Sequence, residues 1–384
     1  MDFTLSDTEK EILELVKQVV DKQLAPRMNE IDESGVFSWE NFKLLGELGL
    51  LGLLLPEEYG GTDLGYLGYA MCVEEISRGD FNIGLTMTVH SMSVNSILYF
   101  GTDDQKSRYL QKCTTGDYLT AFALSEPDYG SDAAGLKCLA TKTDAGYVLN
   151  GTKAWTTNAD VADLFVLFAT LDPKLGKRGI TTFIIEKGAP GLEIGKKEPK
   201  MGGNGTAVCQ VHLRDCFIPN ENVLGEEGKG LRVALNSLSG GRIGIAANAT
   251  GVSQRAFDEA LAYSKKRIQF EVPICEFQGI QWKLAEMDTM IQAGRMLYLK
   301  AAFLKEVAGS DMSSDPIKEA SQAKYFATDV SLQVCSEAVQ IMGGYGYSRE
   351  YNVERLMRYS KVTQIFEGTN EIQRNLIARE LLKS

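Results

Sequence analysis

The stretch CLATKTDAGYVLNGTKAWTTN, residues 138–158, marks a change from helical to strand-forming sequence. Runs of β-branched and aromatic residues flank two turn signals, Asp144-Ala145-Gly146 and Asn150-Gly151, and we expect a hairpin at each. Similar short runs follow at residues 163–171, 179–188, 192–200 and 207–218. Short strands at such intervals predict a compact antiparallel β-barrel or sandwich. This β domain is expected to span residues 118–228.

Helical sequence lies on both sides of the β segment. Residues 5–24 begin with Ser6 and Glu9 at capping-box spacing and then repeat apolar residues with a helical period, and residues 38–55 and 69–79 continue this pattern. Residues 277–307 and 316–342 are long amphipathic stretches that predict a helical bundle. The chain is thus predicted to have an α-helical domain at 1–117 and a helical bundle at 229–384. The order helix, strand, helix argues against a doubly wound nucleotide-binding fold.

Composition excludes several function classes. A chain of 384 residues with 44% hydrophobic residues and a formal net charge of −11 is globular and poorly suited to nucleic acid. Its seven cysteines occur singly, which is typical of core residues in a reducing compartment and predicts no metal site. We see neither a targeting segment nor an apolar run that could span a membrane, and expect a cytoplasmic location. His90 and His212 lie in no catalytic pattern and are expected to be structural.

The segment TQIFEGTNEIQRN, residues 363–375, places Glu367 between an aromatic residue and a glycine, ahead of a predicted helix. Asn370 and Gln373 have the spacing of a capping box at the start of that helix. Two interpretations of Glu367 stay open on these residues alone. It is either a carboxylate favoured by the helix dipole, or a partly desolvated base with a raised pKa that removes a carbon-bound proton.

Six segments then carry a resemblance: ALSEPDYGSD (123–132), WTTN (155–158), GGRIGIAA (240–247), RIQF with FQ (267–270 and 277–278), QIMGGYGY (340–347) and IFEGTNEIQR (365–374). In this order they resemble the acyl-CoA dehydrogenase family over essentially the whole chain. The resemblance implies an α-helical amino-terminal domain, a central antiparallel β-barrel domain and a carboxyl-terminal four-helix bundle around FAD. It also implies a homotetramer, an acyl-CoA substrate degraded as in β-oxidation, and electron-transfer flavoprotein as the electron acceptor.

The resemblance assigns roles to residues of these segments. Contacts to the flavin are implied for Phe122, Leu124, Ser125, Trp155, Thr157, Thr369 and Glu371. Contacts to the FAD of a neighbouring subunit are implied for Arg267, Phe270, Gln278, Gln340, Gly343 and Gly344. Contacts to acyl-CoA are implied for Ser131, Arg242 and Gly368.

Each of these segments also has a purely structural interpretation. Ser125 is then a turn residue, Trp155 a buried core residue, and the pair Gly343-Gly344 the end of a helix. Arg242 follows two glycines at what looks like the start of a helix, where it either binds a polar ligand or is a solvated surface arginine.

For the reaction, the resemblance implies that Glu367 removes the α-proton while the β-hydride goes to flavin N5. The thioester carbonyl would accept hydrogen bonds from the Glu367 backbone N–H and the flavin ribityl chain. Relatives with another base carry an acid just before the arginine of the GGR segment, but here that residue is Gly241. An acyl-CoA oxidase, a desulfinase-like relative and a non-enzymatic FAD-retaining scaffold remain alternatives.

The acyl group is less well specified. Tyr129, Glu271, Tyr359 and Phe366 depart from the common family pattern and leave specificity open. Residues 82–93 contain no arginine, which disfavours an acyl tail with a free carboxylate. The same stretch contains Thr88, His90 and Ser91, and we expect them to form a polar wall. Short-chain, branched, cyclic and unsaturated acyl groups all fit.

Overall fold

The amino-terminal helices position one wall of the site. The computed structural model describes residues 5–309 and 311–383, and its first helices are α1 Asp7–Val19, α2 Met28–Ser34, α3 Trp39–Glu47, α4 Gly65–Gly79, α5 Phe81–Phe100 and α6 Asp103–Thr114. Glu9 N donates to Ser6 Oγ at 3.2 Å and Ser6 N donates to the Glu9 carboxylate at 2.7 Å, which confirms the predicted capping box. The helix predicted over residues 38–55 ends at Glu47, because Gly49 adopts a left-handed φ of 72°.

The central strands are β1 Thr120–Ala123, β2 Leu139–Lys142, β3 Gly146–Thr157, β4 Leu164–Thr170, β5 Ile180–Glu186, β6 Leu192–Lys197, β7 Val208–Pro219 and β8 Val223–Leu224. They form one sheet in the order β6-β7-β3-β2-β4-β5-β8, with β1 paired to β4. Lys142 lies opposite Tyr147, so the predicted hairpin around Asp144 is confirmed. β1 and part of β2 run parallel to β4, which adds two parallel contacts to the antiparallel pairing that we expected.

The second predicted hairpin, at Asn150-Gly151, is wrong. Both residues lie inside β3, where the register against β7 shifts between Leu149 and Gly151. The extra residue of this bulge is on β7, where Arg214 and Asp215 both lie opposite Asn150 and Asp215 takes a positive φ of 50°. β3 therefore continues to Thr157 and carries its last residues to the edge of the site.

The carboxyl-terminal region consists of α7 Gly230–Lys266, a hairpin of β9 Ile268–Gln269 and β10 Val272–Pro273, and the helices α8 Gln278–Ala308, α9 Ile317–Met342, α10 Val353–Thr363 and α11 Asn370–Leu381. The two long helices predicted from residues 277–307 and 316–342 are confirmed as α8 and α9. Across the described ranges, no helix is long and apolar enough to cross a membrane, and no cluster of three or more His, Cys, Asp or Glu side chains could hold a metal ion.

The helix α7 runs through the centre of the protein and packs against α4, α5, α8 and α9. Its small residues allow this close approach. A Cβ at Gly244 would lie 2.7 Å from Thr88 Cγ2 on α5, and one at Gly251 would collide with the Glu74 carbonyl on α4. The middle of α7 is consequently buried on nearly every side, and its Gly241 lies against the side chain of Glu367.

Candidate active site

Glu367 lies in the turn that joins α10 to α11. Its φ is 52°, and that of Gly368 is 92°. A positive φ at a residue other than glycine costs on the order of 1 kcal/mol and is concentrated at functional sites, where the surrounding structure holds the strained conformation. The prediction that an acid immediately precedes the last helix is confirmed.

The start of α11 differs from the predicted capping box. Thr369 is the N-cap, and its Oγ1 accepts a hydrogen bond from Ile372 N at 3.3 Å. The Asn370–Gln373 capping box is therefore wrong. Gln373 Nε2 instead donates to the Gly368 carbonyl at 2.8 Å and to the Glu367 carbonyl at 3.3 Å. These bonds hold the turn that presents Glu367.

The carboxylate of Glu367 is desolvated. Although the residue as a whole is only half-buried, both oxygens are inaccessible to solvent and have no hydrogen-bond partner in the described part of the chain. Burial raises the pKa of Glu367 to about 7, while the positive charges of Lys324 and Arg242 oppose the rise. A carboxylate with such a pKa is much more basic than an exposed one, and a good part of it is ionised at neutral pH.

Helix α7 closes one side of this carboxylate. A Cβ at Gly241 would lie 2.5 Å from Glu367 Oε2 and would also collide with the Met92 sulfur. Gly241 is thus needed to leave room for the side chain of Glu367. Any larger residue at position 241 must displace either the carboxylate or Met92.

Arg242 does not lie at the helix start that the sequence suggested, and its alternative as a surface arginine is wrong. It lies about three turns inside α7 rather than at a helix start, and it is only 4% exposed, so it is not a solvated surface arginine. Burial lowers the pKa of Arg242 to about 10, and Glu367 acts against this. The guanidinium therefore remains charged at neutral pH, close to the carboxylate.

Lys324 is a site residue that the sequence did not reveal. It is fully buried on α9, and its Nζ donates to the Gly368 carbonyl and to Asn370 Oδ1, both at 2.9 Å. Burial lowers the pKa of Lys324 to about 7, while Glu367 raises it. A single lysine within an amphipathic helix is ordinary in sequence, so no local pattern marks it.

A small cavity lies beside Gly241 and Met92. Its volume is about 10 Å³, and its wall also contains Leu54, Tyr66, Tyr69, Ser91, Asn95, Asn236, Ser237 and Gly240. The expected polar wall is only partly correct, because of its three residues Ser91 alone lines the cavity. Thr88 Oγ1 donates to the Gly84 carbonyl, and the His90 ring bonds to the Cys113 carbonyl and to Thr120 N. His90 is therefore structural, as expected, and burial lowers its pKa to about 4.

The segment after β1 is fixed to β3 by a buried ion pair. Lys153 Nζ lies 2.8 Å from Glu126 Oε1 and donates to the Leu124 carbonyl at 3.1 Å. Ala154 N donates to the Ser125 carbonyl at 2.9 Å. Neither Lys153 nor Glu126 was predicted, because the pair connects residues that are distant in sequence. Together they hold the backbone of residues 124–126 against the end of β3.

Trp155 projects from a second bulge in β3. The register against β7 shifts between Lys153 and Thr156, Trp155 has a φ of 59°, and its side chain is 64% exposed. The alternative of a buried core tryptophan is therefore wrong. The bulge turns the indole away from the sheet and leaves Thr157 half-buried next to it.

A separate cleft lies between the β9–β10 hairpin and the end of α9. It has a volume of about 610 Å³, and Arg267, Gly343 and Gly344 line it together with Tyr345. The Arg267 guanidinium lies 5.5 Å from the centre of the Tyr345 ring. The structure therefore brings these three predicted residues to one place, apart from Glu367 and Trp155, which do not line the cleft.

The remaining predicted residues are mostly at the surface. Phe270 is 89% exposed at the tip of the hairpin and contacts Phe277 at 6.0 Å between ring centres. The structure does not bring every predicted residue into the two pockets. Besides Phe270 and Trp155, the exposed predicted residues that line neither pocket are Ser131, Gln278, Gln340 and Glu371. Phe122 is half-buried and contacts Phe168 at 4.9 Å.

Comparison with known proteins accounts for this arrangement. The family models described as acyl-CoA dehydrogenase N-terminal, middle and C-terminal domains match residues 6–117, 121–216 and 228–382. The chain belongs to the acyl-CoA dehydrogenase family. It is 44% identical to a short-chain specific acyl-CoA dehydrogenase of Megasphaera elsdenii, with all of both chains covered.

Solved structures of acyl-CoA dehydrogenase type agree. The structure of butyryl-CoA dehydrogenase from Megasphaera elsdenii matches with a TM-score of 0.96 at 43% identity, covering both chains completely. A structure from work on the electron transferring flavoprotein of Acidaminococcus fermentans matches with a TM-score of 0.97 at 41% identity, again over both complete chains. The protein is thus an FAD-dependent oxidoreductase that dehydrogenates acyl-CoA thioesters.

The geometry fits the FAD of an acyl-CoA dehydrogenase. The exposed Trp155 and the fixed backbone of residues 124–126 suit a flat ring with a polar edge. In the separate cleft, nothing lies within 4 Å of a Cβ built at Gly343 or Gly344, so the backbone there is open beside the Arg267 guanidinium. Such a combination suits a pyrophosphate.

One departure from the acyl-CoA dehydrogenase pattern has a structural explanation. Tyr359, where the family usually has aspartate, stacks on Phe81 at 4.8 Å and donates to Asp32 Oδ1 at 2.7 Å. Asp32, on α2, also pairs with Arg358 at 2.8 Å. Arg358 therefore pairs with a carboxylate from another helix as well as with Glu354 on its own helix.

Proposed function

We propose that this protein oxidises a short acyl-CoA at Cα and Cβ and that Glu367 is the base. The observation that carries this proposal is the buried carboxylate of Glu367, which has no hydrogen-bond partner among the described residues and has a raised pKa. Glu367 takes the α-proton, a double bond forms between Cα and Cβ, and the β-hydride leaves. Bound FAD would supply the two-electron acceptor for this hydride.

The backbone around Glu367 supports the other half of the reaction. Within the described residues, the Glu367 N–H donates to no protein acceptor, so it is free to donate to the thioester carbonyl. A donor at that oxygen stabilises the negative charge that develops as the α-proton leaves. Gly368 gives the substrate close access to this backbone, and we assign Arg242 and Ser131 to the remainder of the acyl-CoA.

The cavity beside Gly241 supports a short acyl group. A volume of about 10 Å³ holds roughly one water molecule, and the neighbouring side chains are packed. Several of these side chains are polar, among them Tyr66, Ser91 and Asn95. A short chain, including a branched or unsaturated one, fits this wall better than a long alkyl chain, and the short-chain relatives lend support.

Anaerobic titration of the purified protein with acyl-CoAs of increasing length tests the function. We expect short acyl-CoAs to bleach the flavin and long ones to bleach it slowly or not at all, because the cavity is small. Oxygen consumption without an added electron carrier would favour an acyl-CoA oxidase, and release of sulfite from a sulfinate substrate would favour a desulfinase. A colourless protein that ignores every acyl-CoA would show that the chain is only a scaffold.

For the assembly we propose a homotetramer in the cytoplasm that passes electrons to electron-transfer flavoprotein. Its subunit would be divided at residues 1–117, 118–228 and 229–384. Support for a subunit contact comes from exposed apolar side chains near the separate cleft, which are Ile268, Phe270, Phe277, Trp282 and Tyr347. In this assembly Gln278 and Gln340 would join Arg267 at the neighbouring subunit's FAD.

Replacement of Arg267 by Ala is expected to weaken FAD binding. A charge-assisted hydrogen bond to a phosphate contributes about 1–3 kcal/mol, so the Kd for FAD should rise accordingly. Flavin content after gel filtration, with mass measured by light scattering, checks this. Arg214→Ala on β7 is the matched control and should retain FAD. A monomer that keeps its full flavin would contradict the shared site.

A further inference from the structure

Lys324 has no role in the reaction as described so far. It is fully buried on α9, and a buried ammonium group is costly unless hydrogen bonds and opposite charge compensate for its lost hydration. Two of its three possible hydrogen bonds are made to the turn that carries the base. A residue retained at this energetic cost, beside a strained turn, calls for an explanation.

The contacts of Lys324 are directed at residues on either side of the N-cap of α11. One bond goes to the carbonyl of Gly368, which directly follows Glu367, and the other goes to the side chain of Asn370. Asn370 is in turn held by α9, since its Nδ2 donates to Thr328 Oγ1 at 2.9 Å and to Asp329 Oδ1 at 2.7 Å. The turn is therefore fixed to α9. Of these contacts with α9, the hydrogen bond from Lys324 to Gly368 involves the residue next to Glu367.

We propose that Lys324 is a positioning residue for Glu367, which holds the Glu367–Gly368 turn in its strained conformation and places a compensating positive charge beside the buried carboxylate. The proposal rests on Glu367 as the base. The hydrogen bond and the charge can be tested separately. A neutral side chain can replace the hydrogen bond, but it cannot replace the charge.

Other charged groups face the same carboxylate and must be considered. Glu367 interacts with Lys324 on α9 and Arg242 on α7, and Tyr69 on α4 senses its charge. Lys324 also interacts with Asp329 and Glu371, and Arg242 interacts with Asp315 and Arg379. Removing Lys324 leaves Arg242 as the cation that opposes the rise in the pKa of Glu367. The midpoint of the Glu367 titration should therefore rise, and Arg242 should limit the rise.

The experiment measures the protonation of Glu367 directly, without turnover. Infrared difference spectra of the holoenzyme record the C=O band of the protonated carboxyl group against pH, with Glu367→Gln in the same background as the blank. The variants are Lys324→Met, which removes charge and donor, Lys324→Gln, which keeps a donor, and Lys324→Arg, which keeps the charge. Thr328→Val is the control, since it removes the uncharged partner of Asn370 and leaves the lysine and the neighbouring charges in place.

In Lys324→Met we expect the midpoint of Glu367 to rise on the order of one pH unit, which is the usual effect of losing a neighbouring opposite charge. The acidic limb of flavin bleaching by acyl-CoA should move by the same amount. Lys324→Gln should show the same shift, Lys324→Arg should stay near the wild-type midpoint, and so should Thr328→Val. If Lys324→Met does not fold, Lys324→Gln replaces it in the same measurement.

A folded neutral variant with an unchanged midpoint would overturn the proposal, and so would a shift of equal size in Thr328→Val. A merely structural lysine would lower the melting temperature and turnover equally at every pH, without moving the midpoint. Failure of the proposed function is distinguishable, because Glu367→Gln would then bleach its flavin normally whatever the infrared midpoint shows.

Discussion

Glu367→Gln is expected to lower the rate of flavin bleaching by saturated acyl-CoA by about 10²–10⁴-fold, the usual effect of removing a positioned general base. Glutamine keeps the size of the side chain and loses the basic oxygen. The protein should still fold, because the carboxylate oxygens have no hydrogen-bond partner in the described residues that the amide would lose. A neutral amide is also easier to bury than an ionised carboxylate.

Binding and chemistry can be separated in this variant. The purified protein should remain yellow, and an enoyl-CoA should still perturb its flavin spectrum with an affinity close to that of the wild type. Glu58→Gln, a substitution at an exposed position before α4, is the matched control and should bleach at the wild-type rate. A Glu367→Gln protein that bleaches nearly as fast as the wild type would place the base elsewhere.

The second large effect is on pH dependence. Because the pKa of Glu367 is raised to about 7, the ionised base is lost as the pH falls below that value. We expect kcat/KM for acyl-CoA to fall about tenfold per pH unit below the midpoint, and thus about 100-fold two units below it. Glu367→Gln should show a low rate without this acidic limb. A wild-type profile that stays flat from neutral to pH 5 would contradict the assignment.

Ionisation of the Glu367 carboxylate, which favours activity as the pH rises, should lower the stability of the folded protein. Its pKa in the folded protein lies above the ordinary value of 4.5, so its contribution to stability is fully present below pH 4.5 and lost as the pH rises through about 7. Relative to Glu367→Gln, the wild type should therefore become less stable over this window. At about 1.4 kcal/mol per pH unit the loss is at most about 3 kcal/mol, and chemical denaturation of both proteins at several pH values measures it.

Much of the fold follows from local sequence. The hairpin at Asp144 and the Ser6–Glu9 capping box were predictable because each depends on residues close together in the chain. The long helices α8 and α9 followed from their apolar period. The Asn150-Gly151 hairpin failed because a turn signal does not distinguish a turn from a bulge, and the pairing of β3 with β7 determines which one forms.

The site shows a similar division. Glu367 could be singled out because its neighbours in sequence suggest a turn before a helix. Lys324 and Lys153 could not, since each matters through partners brought close only by tertiary packing. Arg242 was found but misplaced, because two glycines usually indicate a helix end, whereas here they allow α7 to pass close to Met92 and Glu367.

Gly241 and Glu367 are far apart in the sequence but in contact in the structure. A carboxylate carried by residue 241 would enter the volume that the side chain of Glu367 fills. During evolution, an acid on α7 could therefore replace the acid of the α10–α11 turn and occupy the same volume. The acid at position 367 would have to be lost at the same time.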